Sequence, residues 1–294
     1  MIKLKNILFE ASLTGQTQGS EELGGYKGFF KLSEMEAYKK WLKKTLRIEL
    51  VEGINDPGIL KAVFLAGGPG SGKTYIAKGL FGIPDRVNVS QSGMKMVNSD
   101  KELKYLLNKY GFGTNLDALP DEVFANLTNP KDPKYSGLRS FAKDLTGQRR
   151  KLYQDGRLGM IIDGTGDDFK KIAAEKKELE AVGYDTYMIF VNTTLEVALQ
   201  RNENRDRVLP ASIVQSSHQE VNRNIGAFQG LFGSGNFMIV DNNQYKTEAE
   251  ATKRFKMLVK QGLSKFIKTP IKNKKALSWI RKQKILDKSK GRAK

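Results

Sequence analysis

Gly67-Gly68-Pro69-Gly70-Ser71-Gly72-Lys73-Thr74 decides how this chain is read. It fits the pattern Gly, any four residues, Gly, Lys, then Ser or Thr, which marks a phosphate-cradling loop. Several main-chain N–H groups must converge on phosphate oxygens there, and glycine lets the backbone turn and approach that closely. Ahead of the loop, Ala62-Val63-Phe64-Leu65-Ala66 is a short apolar run with the character of a buried strand, and Thr74 to Leu80 behind it reads as a helix. Strand, glycine loop and helix in that order give the motif its meaning. The helix start adds its positive end. Gly68, Pro69, Gly70, Ser71, Gly72, Lys73 and Thr74 are therefore expected to bind ATP. Lys73 would reach the β and γ phosphates, and the Thr74 hydroxyl would ligate Mg2+.

Four more apolar runs follow: Met96-Val97-Asn98, Met160 to Asp163, Thr186 to Val191 and Phe237 to Asp241. Near-continuous apolar strands separated by helical stretches predict a buried parallel sheet with crossover helices, an α/β fold of five mostly parallel strands. Helices are predicted over Ser136–Asp155, Phe169–Ala181 (ended by Gly183), Thr194–Asn204 (capped by Thr193 or Thr194) and Ser212–Leu231. Helical spacing of Met35, Tyr38, Leu42 and Leu46 predicts a further helix over Ser33–Leu50, after a loose arm over residues 1–25. Ligands of open α/β sheets bind beyond the carboxyl ends of the strands, so Asn98, Asp100, Asp163 and the glycine loop are expected on one crevice. This divides the chain into an arm and helix over 1–58, a nucleotide-binding domain over 59–245 and a tail over 246–294. The segment 101–159 is too long for a plain crossover and offers room for an acceptor pocket.

The order of motifs resembles the zeta-toxin and polynucleotide-kinase branch of the P-loop kinases, over roughly Leu60 to Asn243. The resemblance rests on the glycine loop, Asn98-Ser99-Asp100, Ile161-Ile162-Asp163-Gly164-Thr165-Gly166, the stretch Arg201 to Arg207, and Val240-Asp241-Asn242. It implies that Asp100 accepts the proton of an attacking hydroxyl. It implies that Asp163 holds Mg2+, one of its waters or the acceptor, and that Thr165 contacts acceptor or phosphate. Arg201, Arg205 and Arg207 would bring charge to the triphosphate, and Asp241 and Asn242 would lie near the base. Chains of this kind with basic ends also occur in large tailed phages. The residues themselves allow plainer roles: Asp100 as N-cap of a helix over Lys101–Tyr110, Asp163 as a turn residue, and the arginines as a solvated face on which Arg201 and Arg205 are one turn apart. Two departures from the family pattern concern the acceptor: Asp163 replaces a Glu, and Lys101 to Leu107 lacks the family's acceptor-binding residues. Arg139, Lys143, Arg149 and Arg150 read either as a basic solvated face or as contacts to an anionic acceptor.

Composition bounds the rest. The 294 residues are 39% hydrophobic and 28% charged, enough for a sizeable core. No Cys is present, which excludes disulfides and thiolate metal sites. No apolar run approaches a membrane span and the first ten residues do not read as a signal peptide, so a cytoplasmic protein is expected. His218, the single His, is read as structural. The net charge of +18 is concentrated at one end: Lys246 to Lys294 holds 17 bases against 3 acids, the first 245 residues 33 against 29. Such a tail suits a polyanion, nucleic acid above all, or serves as a solvated appendage. The expected function is ATP-dependent phosphotransfer to a nucleotide sugar or other small acceptor. The alternatives are a polynucleotide 5′-hydroxyl kinase, a nucleotide-dependent binding module and an ATPase.

Overall fold

The structure, a computed structural model, describes residues 22–23, 26–27, 30–31, 54, 56, 58–83, 90, 93–109, 111–128, 135–205, 207–243, 253, 257 and 263–289. The expected helix over Ser33–Leu50, most of the arm before it and residues 244–252 of the tail lie outside them. The described residues form two compact units. One draws on Asn98–Leu152 and Asn204–Pro210, the other on Glu52–Val97, Tyr153–Glu203 and Ala211–Lys294.

The second unit is built on five strands: β1 (Lys61–Ala66), β2 (Lys95–Val97), β3 (Met160–Asp163), β4 (Asp185–Asn192) and β5 (Phe237–Asp241). They lie in the order β2-β3-β1-β4-β5. All four neighbouring pairs are parallel, so the expected mostly parallel sheet is wholly so. β1 is buried along its whole length, as a central strand covered on both faces must be. Successive strands run from β1 to either side of it, which places the topological switch at its carboxyl end.

Helix α1 (Lys73–Phe81) follows β1 and buries Ile76, Ala77, Leu80 and Phe81. These pack with Val63, Leu65, Ile161, Ile189 and Val191 in one apolar cluster. The cluster also takes in Leu263 and Phe266 of the expected tail, and Phe266 meets the Tyr187 ring at 5.0 Å. The opposite face of the sheet is covered in part by Phe232, whose ring meets Phe64 edge-on at 5.5 Å.

The amino ends of the strands carry buried charge in pairs. Lys61 Nζ lies 2.9 Å from Asp185 Oδ2, joining β1 to β4. Lys95 pairs with Asp56, whose Oδ1 also accepts the Gly58 and Gly159 N–H groups. A buried charge is tolerable only when its hydrogen-bonding capacity is met in this way.

In the first unit, α2 (Asp100–Lys109), α3 (Asp121–Thr128) and most of α4 (Leu138–Asp155) share a separate core. Leu103, Leu106, Leu107, Val123, Leu127, Phe141 and Leu145 form it, with Leu209 packed against it. α4 begins later than expected, because Tyr135–Ser136 pairs antiparallel with Phe30–Lys31 and Gly137 follows.

The remaining helices of the second unit are α5 (Phe169–Val182), α6 (Leu195–Glu203), α7 (Ala211–Arg223), α8 (Ile225–Phe232), α9 (Ser264–Lys268) and α10 (Lys274–Ser289). The predicted single helix over Ser212–Leu231 is broken. Asn224 interrupts it, and its side-chain amide donates instead to the Gly166 and Asp167 carbonyls, at 3.0 and 2.9 Å. α6 stops at Glu203, so Arg205 does not share a helix face with Arg201. The cause lies in the first unit, where Val208 accepts the Leu116 N–H and Leu209 joins the core, which a continued helix would not permit. α10 is seated by Ala276 against Gly183 and by hydrogen bonds from Asn273 to Glu180 and from Lys275 to Ala181. Among the described residues no helix is long and apolar enough to cross a membrane.

Candidate functional site

The glycine loop leaves the carboxyl end of β1 and enters α1. Gly70 (φ +78) and Gly72 (φ +81) are both left-handed. A Cβ on Gly70 would stand 2.2 Å from the Ala198 carbonyl oxygen, because the loop lies directly on the α6 backbone. No side chain caps α1 and no acid occupies its first turn. The first N–H taken up by the helix is that of Ile76, bonded to the Gly72 carbonyl. Among the described residues, the positive end of the helix thus opens beneath the loop without a capping side chain or a first-turn acid. Lys73 folds back over the loop and donates to the Gly67 and Gly68 carbonyls. Ser71 is buried, and its Oγ lacks a hydrogen-bond partner among the described residues.

The loop is braced from behind by residues far away in sequence. Asn242, only 4% exposed, donates its amide to the Ser71 carbonyl at 2.7 Å. Thr193 Oγ1 bridges the same carbonyl (3.5 Å) and that of Asn242 (3.3 Å). Arg201 closes the assembly, its two terminal nitrogens donating to the Asn242 and Asn243 carbonyls at 2.8 and 2.9 Å. Asp241 Oδ1 accepts from the Asn243 main chain and side chain and fixes that turn. His218 Nε2 lies 2.7 Å from the Thr193 carbonyl oxygen. Since a carbonyl only accepts, that ring nitrogen carries a proton. Thr193, His218 and Asn224 carry no motif of their own; the sequence offered only a capping reading for Thr193 and a structural one for His218. The cap of α6 is Thr194, whose hydroxyl accepts the Val197 N–H.

Asp163 ends β3 beside β1, in register with Leu65. The turn after it is tied to the loop: Gly164 donates to the Leu65 carbonyl and Gly67 to the Thr165 carbonyl. Thr165 Oγ1 donates to Asp167 Oδ1. Asp163 and Thr165 are half-buried, while Thr74 is exposed.

These residues fit a triphosphate with Mg2+. The loop offers main-chain amides, an ammonium, an unpartnered buried hydroxyl and an uncapped helix start. Thr74 and Asp163 are the residues that would supply the hard oxygen donors. Mg2+ in such sites is completed by phosphates and water, so a protein cage of carboxylates is not required.

The other candidates lie in the first unit. Asp100 is the first residue of α2, and the Ser99 carbonyl accepts the Leu103 N–H, so Asp100 is not the N-cap. Its own N–H is held by Asn98 Oδ1 at 2.6 Å. Its carboxylate faces two guanidiniums, Arg207 at 2.9 Å and Arg139 at 3.8 Å. Arg205 follows α6 and is half-buried. Arg149 departs from both sequence readings: it is 2% exposed and paired with Glu102 at 2.6 Å.

The fold is an α/β fold, five parallel strands in one sheet flanked by helices. No protein-family model matches the chain, and no curated protein resembles it in sequence. Similar solved structures include the PezAT chromosomal toxin–antitoxin system of Streptococcus pneumoniae, at 15% identity over 82% of this chain and 99% of that one, TM-score 0.45. The AvrRxo1-ORF1:AvrRxo1-ORF2 structure with sulphate ions matches at 16% identity over 70% of this chain, TM-score 0.42. There the match spans 62% of the other chain, less than two thirds of its length. Shikimate kinase from Bacteroides thetaiotaomicron matches at 13% identity over 68% of this chain and 98% of that one, TM-score 0.39. Likenesses of this order neither fix a family nor assign a substrate.

Proposed function

We propose that this protein is an ATP-dependent kinase that moves the γ-phosphoryl group to a hydroxyl of a nucleotide sugar or another small acceptor. The observation that carries the reading is the loop: left-handed glycines over an uncapped helix start, with Lys73 folded across it. That arrangement concentrates positive potential where a triphosphate would lie. Mg2+, held by Thr74 and Asp163, would supply charge neutralisation on the β and γ phosphate oxygens.

The remaining work falls to the chain. Main-chain amides and Lys73 hold the triphosphate. Asp100 accepts the proton of the acceptor hydroxyl as its oxygen bonds to the γ phosphorus, and the bond to the β–γ bridging oxygen breaks to release ADP. Arg207 and Arg139 hold the Asp100 carboxylate in place. Arg205 is the further candidate for charge on the transferring group, since Arg201 is engaged with the Asn242 and Asn243 carbonyls.

One observation favours a second acceptor class. α10 carries six Lys or Arg against the single acid Asp287, and Lys274, Lys275, Arg281, Lys282, Lys284 and Lys288 are exposed. A 5′-hydroxyl polynucleotide would meet that helix through its phosphates.

The test supplies ATP with separate pools of nucleotide sugars, nucleosides, and 5′-hydroxyl DNA and RNA, and locates the added phosphate by mass spectrometry. Lys73→Ala is expected to lower turnover by about 10²–10³-fold. Asp100→Asn is expected to lower it by about 10²–10⁴-fold while ATP still binds. Tight ATP binding with no product in any pool would instead leave a nucleotide-dependent binding module, and phosphate release into water alone an ATPase.

A further inference from the structure

The buried pair of Arg149 and Glu102 has no part in the reading above, and its geometry is odd for a stabilising contact. Arg149 is withdrawn from water and Glu102 largely so, and Arg149 Nη2 reaches Glu102 Oε1 at 2.6 Å. Among the described residues, Arg149 Nε and Glu102 Oε2 are buried without hydrogen-bond partners. A buried ion pair offsets its desolvation only with full hydrogen bonding, and a well-packed apolar pair is often as stable or more so. Stability alone therefore does not account for it.

The same Nη2 makes one further bond. It donates to the Asn98 main-chain carbonyl at 3.1 Å. Asn98 in turn holds the Asp100 N–H through its side-chain oxygen. α4 thus grips the turn before α2 twice: Arg139 faces the carboxylate itself, and Arg149 holds the main chain behind it. The two arginines are ten residues apart on one helix, about 15 Å along its axis. A rigid helix touching a turn at two such separated points restrains its angle as well as its position.

We infer that Arg149, with Glu102 as counter-anchor, is a positioning residue that sets Asp100 through the Asn98 carbonyl. It acts on the proton-accepting group through the main chain of the turn that carries it. The inference rests on the proposed role of Asp100, and the test separates the two.

The informative variant is Arg149→Met with Glu102→Met, which removes both charges together and leaves neither stranded. It should fold, bind ATP as the parent does, and show faster hydrogen exchange at the Asp100 amide. Its kcat should fall by about tenfold or more with little change in KM for ATP, and the loss should vanish in an Asp100→Asn background. Arg149→Gln with Glu102→Gln, a neutral pair too short to reach Asn98, should behave alike and serves if the first variant does not fold. Parental kcat, a loss that adds to that of Asp100→Asn, or an unchanged Asp100 amide would overturn the inference. An Asp100→Asn protein with full turnover would instead sink the proton-accepting role of Asp100, while the exchange measurement would still judge the positioning of the turn.

Discussion

The glycine loop and the Asp100 turn are built by opposite means. The loop is shaped by main chain: left-handed glycines, a helix start and carbonyls pinned by Asn242 and Thr193. The turn is shaped by long charged side chains, with Arg139, Arg149 and Arg207 reaching it from remote positions in the sequence. Main-chain geometry is stiff and resists most side-chain changes. Ion-pair geometry is adjustable and can be lost one partner at a time. The phosphate-holding part of the protein should therefore fail through backbone changes, and the Asp100 part through charge changes.

The harshest way to break this contrast is Gly70→Ala. The new methyl would meet the Ala198 carbonyl oxygen in a backbone conformation that costs an L residue about 1–2 kcal/mol before any clash. ATP affinity should be lost by titration calorimetry, with the Asp100 turn unaffected by hydrogen exchange. Parental affinity in that variant would show that the loop is not held by main-chain fit.

Asn242→Ala sharpens the contrast at a smaller scale. It removes the amide on the buried Ser71 carbonyl, a loss of about 1–3 kcal/mol. Both melting temperature and ATP affinity should drop. If the melting temperature falls while ATP affinity holds, Asn242 supports the sheet rather than the loop.

The mildest change is a control outside both regions. Tyr184 is buried at the amino end of β4, its hydroxyl donating to the Leu158 and Tyr153 carbonyls, and burial pushes its phenol well above the usual range. The folded protein keeps that proton where the unfolded chain releases it. The stability tied to it is full below about pH 10, the free phenol value, and declines as pH rises beyond it. Tyr184→Phe should flatten the alkaline decline in melting temperature and cost about 1 kcal/mol at neutral pH. An equal decline in both proteins would remove Tyr184 as its cause.

How much of this was legible in the sequence follows the same division. The five strands and the glycine loop stood out because local pattern determines them: apolar runs for buried strands, and glycines where the backbone turns sharply. The sheet order itself, with β1 at its centre, comes from packing. Asp100 could be found by its place after β2, but the guanidiniums around it could not. Ion pairs leave no periodic trace, and Arg149 looked like one cation among several on a basic helix until the fold buried it. Asn224 was missed for a related reason. Its neighbours have good helical spacing, and only two carbonyls from the turn after β3 explain why the helix breaks there.

The contact of Ala276 with Gly183 leaves neither partner a side chain to yield. A helix seated so closely cannot roll without prising apart two backbones. The roots of the cations on α10 are then fixed like the teeth of a comb, and a polyanion meeting them would find their order along the helix already set. Selection could act on the pitch of that comb as well as on its total charge.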